Sequence, residues 1–445
     1  MEEIMNHIKT GSAPSALKIT DMRFVDIVGA PMDCTILRIE TNQGLMGYGE
    51  IRDFSNKMYA LQLKRLLVGE NPCDISRLFS RIKQFGGHAR QGGGVSGVEV
   101  ALWDLAGKAY GVPVYQMLGG KFRDKVRVYC DTDVDGRHGG KDMGKALLAR
   151  MEKGYTMLKM DLGIDLLLDI NGALNAPLGY LDTLRSFSQQ ELSFGISDKE
   201  FAEFMNIPHP FTFVSVTDKG LDYLETYVAE VRSVIGMEIP LAIDHIGHVN
   251  LQSCIRLGKR LEKYNIAWME DCVPWFYTGQ WKQLSGACSV PMCTGEDIYL
   301  KEGFMPLLHE NAVSVIHPDV LTAGGIAETK KILDLAWEHG IAGVLHMAES
   351  PVGCMAAAHI AASAGDNFVA MEFHSNDVPW WDSMVKNAVT PIVQNGWIEL
   401  SDKPGLGIDE LDDEVLREHI NRQRPGLWES TAAWDNEWAH DRCWS

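Results

Sequence analysis

Short apolar runs recur at regular intervals along the chain from about residue 125 onward. Most of them are separated by segments with a helical pattern, for example Leu251, Cys254 and Ile255. Strands that alternate with helices are typical of a parallel sheet, and eight of them predict a (β/α)-type barrel. The predicted strands are 126–130, 156–160, 240–243, 266–269, 290–294, 313–316, 343–345 and 368–371.

The first 120 or so residues have a different pattern. Residues 35–40 alternate between polar and apolar positions, 42–44 offer a hairpin turn, and 45–50 continue as a second strand. Apolar residues at helical spacing follow over 98–109, and Gly111 and Pro113 end that helix. The run of glycines at 92–94 is predicted to be a flexible turn. This part of the chain is therefore predicted to be an α+β domain.

These patterns divide the chain into three predicted parts. Residues 1–124 form the N-terminal α+β domain, residues 125–400 form the barrel, and residues 401–445 return to the N-terminal domain. Asp161 and Asp244 are 83 residues apart, roughly three times the usual step between barrel strands. We therefore expect an insertion near 162–235, and its position makes it a candidate wall or lid of the active site.

Composition narrows the classes of partner. The 445 residues carry a formal charge of −19, which argues against nucleic acid. No apolar run approaches the roughly 20 residues that a membrane helix needs, and the first residues lack the pattern of a signal peptide. The nine cysteines have no metal-ligand or disulfide spacing, so we expect reduced thiols and a cytoplasmic protein.

Three acidic residues follow apolar runs at a constant step. Asp244, Glu270 and Glu296 are each 26 residues apart, which is about the length of one strand-plus-helix unit. In a parallel barrel, this step places the three carboxylates at neighbouring strand ends. Three hard oxygen ligands at one edge predict a site for Mg²⁺.

Other strand ends also carry polar residues. Asp319 and His346 are 27 residues apart, again one unit, so they are expected to be adjacent. A carboxylate that accepts a hydrogen bond from a histidine fixes its tautomer and raises its basicity, which makes this pair a candidate general base or acid. Glu372 ends the last predicted strand. On the second strand, Lys159 and Asp161 point to the same face because strand side chains alternate.

Each of these residues also has a plain structural interpretation. A lone carboxylate at a strand end is usually a cap or a salt-bridge partner, and a lone histidine is usually packed in the core. The constant 26-residue step of the three acidic residues and the 27-residue step from Asp319 to His346 favour a functional site. His245, His248 and His317 lie near the same edge of the predicted barrel, and each is either a substrate contact or ordinary packing.

Taken together, these motifs resemble those of the enolase superfamily and, within it, the mandelate racemase group. The resemblance covers nearly the whole chain. It includes Gly47-Tyr48-Gly49-Glu50, the lysine motif at 159 and the three carboxylates. It continues through Pro318-Asp319, Gly324-Gly325, the strand-end residues His346 and Glu372, and the segment 404–408.

The resemblance implies a modified (β/α)7β barrel with an N-terminal capping domain. It implies that the metal binds the substrate carboxylate at Asp244, Glu270 and Glu296, and that a base removes the α-proton to give an enediolate. It implies that Asp319 and His346 are the catalytic dyad. It also implies that Glu372 is the acid that hydrogen-bonds the enolate oxygen. Members of the group usually form symmetric oligomers, so a homo-oligomer is expected.

The sequence departs from the family pattern at two positions. The group usually carries a second lysine where this chain has Asp161, and an aspartate is a much weaker base than a tuned lysine. Asp161 could instead bind a sugar hydroxyl or pair with Lys159. Ile246 replaces a frequent polar substrate contact, and His245 or His248 could compensate.

One confident base is enough for dehydration. The favoured hypothesis is a Mg²⁺-dependent lyase that removes water from a sugar acid and yields a 2-keto-3-deoxy acid. Arg52 and Asp53 of the capping domain are expected to contact the substrate. One alternative is a racemase, epimerase or cycloisomerase that uses Lys159 or Asp161 on the second face. Another is a non-catalytic metal-binding barrel.

Overall fold

The computed structural model describes residues 12–134, 136–186, 213–247, 249–386, 388–440 and 442. The chain begins with a three-stranded antiparallel sheet in the order β1-β2-β3. Its strands are β1 (Ile19–Ile27), β2 (Cys34–Thr41) and β3 (Met46–Ile51). The alternating segment and the turn that follows it are therefore confirmed.

The strands after this sheet follow the predicted rhythm. β4 (Lys125–Cys130) and β5 (Leu158–Asp161) come first, and a small antiparallel pair, β6 (Leu174–Asn175) and β7 (Ser215–Val216), follows. The strands that continue the series after β5 are β8 (Leu241–Asp244), β9 (Ile266–Glu270), β10 (Met292–Thr294), β11 (Val315–Ile316), β12 (Ala342–Leu345) and β13 (Phe368–Phe373). Each of the eight predicted strands is present within a few residues of its expected position.

These eight strands form one closed parallel barrel. The sheet order runs β13-β12-β11-β10-β9-β8-β5-β4, and β13 also pairs with β4. A short hairpin of β15 (Val393–Gln394) and β16 (Trp397–Glu399) continues from β4, and β14 (Val385–Lys386) pairs with β17 (Glu410–Leu411). The predicted fold class, a barrel of this type with an N-terminal α+β domain, is confirmed.

The helices of the described residues alternate with the barrel strands. Gly140–Glu152, Asp218–Ile235, Leu251–Leu261, Thr278–Ala287, Leu300–His309, Ile326–Glu338 and Pro351–Ser363 lie along the barrel part of the chain. The N-terminal part contains Met58–Leu61, Lys64–Leu67, Ile75–Ile82, Gly93–Tyr110 and Val114–Met117, and shorter helices are Tyr180–Ser186 and Asp413–Glu418. No described helix combines the length and the apolar character that crossing a membrane requires.

The chain divides into two compact units. The first unit contains the residues up to Arg127, Glu296–Phe304 and His317–Ser445, and the second contains Val128–Gly295 and Met305–Ile316. In the second unit, helix Asp218–Ile235 packs on helix Gly140–Glu152. A Cβ atom at Gly140 would lie 2.2 Å from the Tyr227 carbonyl oxygen, so only glycine permits this approach.

The first unit buries the apolar face of the N-terminal sheet under helix Gly93–Tyr110. A Cβ at Gly49 of β3 would lie 2.0 Å from the Gly97 carbonyl oxygen, which explains the glycines of the Gly47–Glu50 motif. The C-terminal residues contact the same sheet: Asn421 N–H donates to the Asp26 carbonyl at 2.9 Å, and Trp428 lies 6.4 Å from Tyr48 between ring centroids.

The turn predicted at 92–94 is wrong, because Gly93 and Gly94 begin helix Gly93–Tyr110. A Cβ at Gly94 would lie 2.3 Å from the Tyr59 backbone, so these glycines serve close packing and not flexibility. Part of the predicted insertion, residues 187–212, and His248 lie outside the described residues.

Glu99 is a fully buried carboxylate in the first unit, and it offers a test of the fold. Its oxygens accept hydrogen bonds from the Ile326 and Ala327 N–H groups at 2.6 and 3.1 Å, at the start of helix Ile326–Glu338. Burial raises the pKa of Glu99 from 4.5 to about 7 against the effect of these bonds. Folding therefore favours its protonated form, and its contribution to stability falls as the pH rises between those two values.

We expect Glu99→Gln to remove this pH dependence. Relative to wild type, the variant should gain up to about 3 kcal/mol in the free energy of unfolding between pH 4.5 and pH 7. Denaturant unfolding of both proteins at several pH values measures the difference. A difference that stays constant with pH would show that Glu99 does not titrate in this range.

Candidate active site

Lys159 of the second unit holds two of the predicted metal ligands together. β5, β8 and β9 are neighbours, and Asp161 pairs in register with Asp244 at the strand ends. The Lys159 ammonium, only 1% exposed, lies 2.8 Å from Asp244 Oδ2 and 3.1 Å from Glu270 Oε1. A buried ammonium is costly unless it is paired, and this one has both of these carboxylates close by and Asp131 Oδ1 at 4.0 Å.

The two carboxylates differ in their other partners. Asp244 also accepts a hydrogen bond from the His245 N–H at 2.6 Å, and Glu270 accepts one from the Trp268 indole at 2.7 Å. Burial alone would raise the pKa of Asp244, but the Lys159 ammonium outweighs it and holds that pKa well below its usual range. Asp244 is therefore an anion at neutral pH, as a ligand for a hard cation must be.

Asp161 lies beside Asp244 and faces a histidine. Its Oδ1 is 3.6 Å from His245 Nε2, and His245 has a left-handed backbone with φ of 62°. Burial raises the pKa of Asp161, and the negative charge of Asp161 raises the pKa of the half-exposed His245. Asp161 thus has His245 as its partner at the position where the group usually carries its second lysine.

The predicted dyad is present in the first unit. Asp319 and His346 are joined by a parallel bridge between their backbones, and His346 Nδ1 lies 2.6 Å from Asp319 Oδ2. Nδ1 also lies 3.2 Å from Arg52 Nη1. We assign the ring proton to Nδ1 because it faces the Asp319 carboxylate, which leaves the lone pair of the neutral ring on Nε2. His346 Nε2 lies 3.2 Å from Glu296 Oε2.

Arg52 forms an ion pair with the same carboxylate. Its Nη1 lies 2.7 Å from Asp319 Oδ2, and its Nη2 lies 3.4 Å from Glu296 Oε1. Burial alone would raise the pKa of Asp319, but Arg52 and then His346 hold it well below its usual range. Asp319 is therefore ionised, and Arg52 and His346 share one of its oxygens.

Glu349 completes the surroundings of Asp319. It is fully buried, and its Oε2 accepts a hydrogen bond from the Ala348 N–H at 2.8 Å. Burial and then the negative charge of Asp319 raise the pKa of Glu349 well above its ordinary value. Asp319 itself also accepts hydrogen bonds from the Leu321 and Thr322 N–H groups at 2.6 and 3.0 Å, which stabilise its anionic form.

Glu372 at the end of the barrel sequence is surrounded by imidazoles. Its carboxylate lies 3.2 Å from His317 Nε2, 3.3 Å from His374 Nε2 and 3.9 Å from His346 Nε2. Glu372 and His317 are fully buried. His317, predicted only as a substrate contact or a packing residue, thus lies directly against the predicted acid.

Several residues at these positions had no role in the sequence-based prediction. Trp268 is two residues before Glu270 on β9, so side-chain alternation could have indicated it, whereas His374 follows the end of β13. Nothing in the sequence pattern indicates Glu349 or the pairing of Arg52 with Asp319. Those contacts join segments that are far apart in the chain.

Carboxylate and histidine groups of the described residues could hold a metal. Asp244 and Glu270 bracket one cation, the Lys159 ammonium, at about 3 Å each, so their oxygens already converge on positive charge. Oxygen donors of this kind suit Mg²⁺ or a similar hard cation. The ligand atoms of His346, Glu372 and His374 also lie within 4.8 Å of one another.

The fold and these groups together define the class of protein. The family model for "Enolase C-terminal domain-like" matches residues 142–415, and the model for "Mandelate racemase / muconate lactonizing enzyme, N-terminal domain" matches residues 29–119. The chain belongs to the enolase superfamily, in the mandelate racemase group. The resemblance stated from the motifs is therefore confirmed.

Curated relatives cover almost the full chain. A D-xylonate dehydratase of Haloferax volcanii is 32% identical over 410 residues, which are 91% of this chain and 89% of that protein. A D-galactonate dehydratase family member of Salmonella virchow is 30% identical over 89% of this chain and 92% of its own length.

A solved structure shows the same architecture. The mandelate racemase/muconate lactonizing enzyme-like protein of Rubrobacter xylanophilus is 29% identical, with a TM-score of 0.77, and the match covers 92% of this chain and 99% of that one.

Proposed function

We propose that this protein is a metal-dependent dehydratase that removes water from a sugar acid. The observation that carries the proposal is the Asp319–His346 dyad, with His346 Nδ1 2.6 Å from the Asp319 carboxylate and Nε2 3.2 Å from Oε2 of Glu296. Relatives named as D-xylonate and D-galactonate dehydratases support the reaction class. Conversion gives a 2-keto-3-deoxy acid.

The first step is removal of the proton α to the carboxylate. His346 Nε2 accepts this proton, and Asp319 stabilises the imidazolium because it is already ionised. The electron pair of the broken C–H bond moves into an enediolate, which places a second negative charge on the former carboxylate. Glu372 would hydrogen-bond an enolate oxygen, as the family resemblance implies.

We assign the metal ligands to Asp244, Glu270 and Glu296, and the metal to Mg²⁺. A bound cation of this kind supplies positive charge where the enediolate develops. The pairing of Asp244 and Glu270 around one buried ammonium supports two members of this set. Lys159 adds a fixed positive charge beside them, which serves the same electrostatic purpose.

The second step is loss of the β-hydroxyl. The His346 imidazolium returns its proton to the departing hydroxyl, so that water leaves on the same face from which the α-proton was taken. The enol that remains tautomerises to the keto acid. Asp161 and His245 would contact substrate hydroxyls. Arg52 and Asp53 would close the site from residues 52–90 of the N-terminal domain, here called the capping segment.

A racemase or epimerase needs a second base on the opposite face. Lys159 is a poor candidate, because two carboxylates hold its ammonium and stabilise the charged form. Asp161 replaces the second lysine of the group. We therefore favour elimination over epimerisation. The intact dyad likewise argues against a non-catalytic barrel.

A panel of acid sugars tests the proposal. Mono- and diacid sugars, among them D-xylonate and D-galactonate, are incubated with the protein and Mg²⁺, and keto acids are detected as semicarbazones. We expect at least one substrate to be dehydrated. Exchange of the α-proton with solvent deuterium, without loss of water and with epimerised substrate recovered, would refute dehydration and support the isomerase alternative.

The setting of the reaction is also part of the proposal. The eight cysteines of the described residues are free thiols, which supports a reducing compartment such as the cytoplasm. A small carboxylate substrate and a homo-oligomeric assembly are proposed from the family.

A further inference from the structure

A series of ion pairs links the predicted metal ligand Glu296 to the capping segment. The series ends at Asp297, the residue that follows Glu296. Arg52 Nη2 lies 3.4 Å from Glu296 Oε1, and Arg52 Nε lies 2.5 Å from Asp53 Oδ1. Arg90 then lies 2.9 Å from Asp53 Oδ2 and 3.0 Å from Asp297 Oδ1. Because Glu296 and Asp297 are consecutive, these five side chains form a closed ring, here called the charge ring.

Hydrogen bonds reinforce the ring at the Arg90 side. The Ala89 N–H donates to the Asp297 carbonyl at 2.8 Å, and the Tyr299 N–H donates to His88 Nδ1 at 3.0 Å. The Ser55 hydroxyl donates to the Arg90 carbonyl at 2.6 Å. The segment 296–299 is therefore fastened to residues 88–90 at three points, and residues 88–90 are fastened to the segment after Arg52.

The backbone at these junctions is strained. Phe54, Ala89 and Leu300 have φ values of 53°, 54° and 58°, which side chains other than glycine rarely adopt. Each such residue costs of order 1 kcal/mol and persists where the surrounding contacts over-determine the conformation. Three of them around one ring indicate that the ring imposes a defined path on segment 296–300.

The two arginines have different surroundings. Arg52 is 1% exposed and also pairs with Asp319, so it belongs to the surroundings of the dyad. The Arg90 and Asp297 side chains are 35% and 39% exposed, and exposed ion pairs of this kind contribute little to global stability. Their position next to Glu296 is therefore better explained by a local role.

We propose that Arg90 is a positioning residue for the metal. Through its ion pair with Asp297, it fixes the position of segment 296–300, which carries Glu296, relative to the capping segment. The proposal rests on the proposed function, because it takes Glu296 as a ligand. Partners that orient metal ligands typically change metal affinity by 10–100-fold when they are removed.

The test compares Arg90→Gln and Asp297→Asn with Arg77→Gln. Arg77 is a matched control, because it also bridges two carboxylates, Glu70 and Asp74, at 2.9 and 2.6 Å. Its ion pairs do not involve Glu296. Hydrogen–deuterium exchange of the metal-free proteins is followed for a peptide covering 296–304, and Mg²⁺ affinity is measured by calorimetry without substrate.

We expect faster exchange of the 296–304 peptide in Arg90→Gln and Asp297→Asn, and about tenfold weaker Mg²⁺ binding. The double variant should bind Mg²⁺ no more weakly than Arg90→Gln alone, because that substitution already removes the link to Asp297. Arg90→Lys should fall between wild type and Arg90→Gln, since one ammonium cannot bridge both carboxylates as a guanidinium does. Arg77→Gln should match wild type in both measurements.

The proposal is overturned if exchange of 296–304 stays at the wild-type rate, or if it rises while Mg²⁺ affinity stays within twofold of wild type. The proposal is also overturned if wild type turns over a sugar acid and Glu296→Gln binds Mg²⁺ as tightly as wild type. That outcome would leave the dehydratase assignment intact. Absence of both Mg²⁺ binding and turnover in wild type would overturn the proposed function as well, even if exchange responds to Arg90→Gln.

Discussion

Replacing His346 with asparagine is expected to lower kcat/KM for the sugar acid by about a thousandfold. An asparagine amide can still donate a hydrogen bond to Asp319, so the ion pair of Asp319 with Arg52 at 2.7 Å should remain. The variant lacks the Nε2 lone pair, however, and general bases contribute about 10²–10⁴-fold to such reactions. Steady-state turnover with semicarbazide detection measures the loss.

The same variant should also stop exchange of the α-proton. Substrate incubated in deuterium oxide with His346→Asn should stay unlabelled, because no other group is assigned to remove that proton. His339→Asn, at the end of helix Ile326–Glu338, is the control and should keep wild-type activity. Rapid exchange in His346→Asn would show that another residue removes the proton, with Lys159 and Asp161 as the first candidates.

Glu270→Gln is expected to abolish most of the metal-dependent activity. Glu270 is fully buried and lies 3.1 Å from the Lys159 ammonium. The substitution removes one negative charge from the Asp244–Lys159–Glu270 group and therefore makes it less attractive to a divalent cation. We expect Mg²⁺ affinity to fall at least about tenfold and kcat/KM at least about a hundredfold, since a metal contributes several kcal/mol to stabilising developing charge.

Calorimetry with Mg²⁺ and turnover at increasing Mg²⁺ concentration measure these effects. Part of the activity should return at high Mg²⁺, because the loss is partly one of affinity. Glu262→Gln, an exposed site shortly before the same strand, is the matched control. Unchanged Mg²⁺ affinity in Glu270→Gln would remove Glu270 from the ligand set.

Much of the architecture could be predicted from the sequence. A strand of a closed parallel barrel is buried on both faces, so it appears as a short continuous apolar run between helices. Runs of this kind marked all eight barrel strands, including β11, which is only two residues long. The glycines at 92–94 were misread because glycine in a turn and glycine at a close helix contact look alike in a sequence.

The candidate site could be predicted in part. Residues that end parallel strands lie at one edge of a barrel, so the spacing alone indicated that Asp319 and His346 are adjacent, and their side chains are 2.6 Å apart. Spacing carries no information on contacts between distant segments. The pairing of Arg52 with Asp319 joins residues 267 positions apart, a separation that follows no strand-to-strand step.

By itself, the sequence determined the barrel, its N-terminal sheet and the spacing of the acidic residues, because these follow from periodic burial, and its motifs indicated the family by resemblance. Only the tertiary structure decided how the charges are paired. The buried Lys159 ammonium pairs with Asp244 and Glu270, and Glu372 lies among three imidazoles. In the capping segment, Arg52 pairs with Glu296 and Arg90 pairs with Asp297. A buried charge must find a partner wherever the folded chain offers one, and that requirement leaves no periodic trace in the sequence.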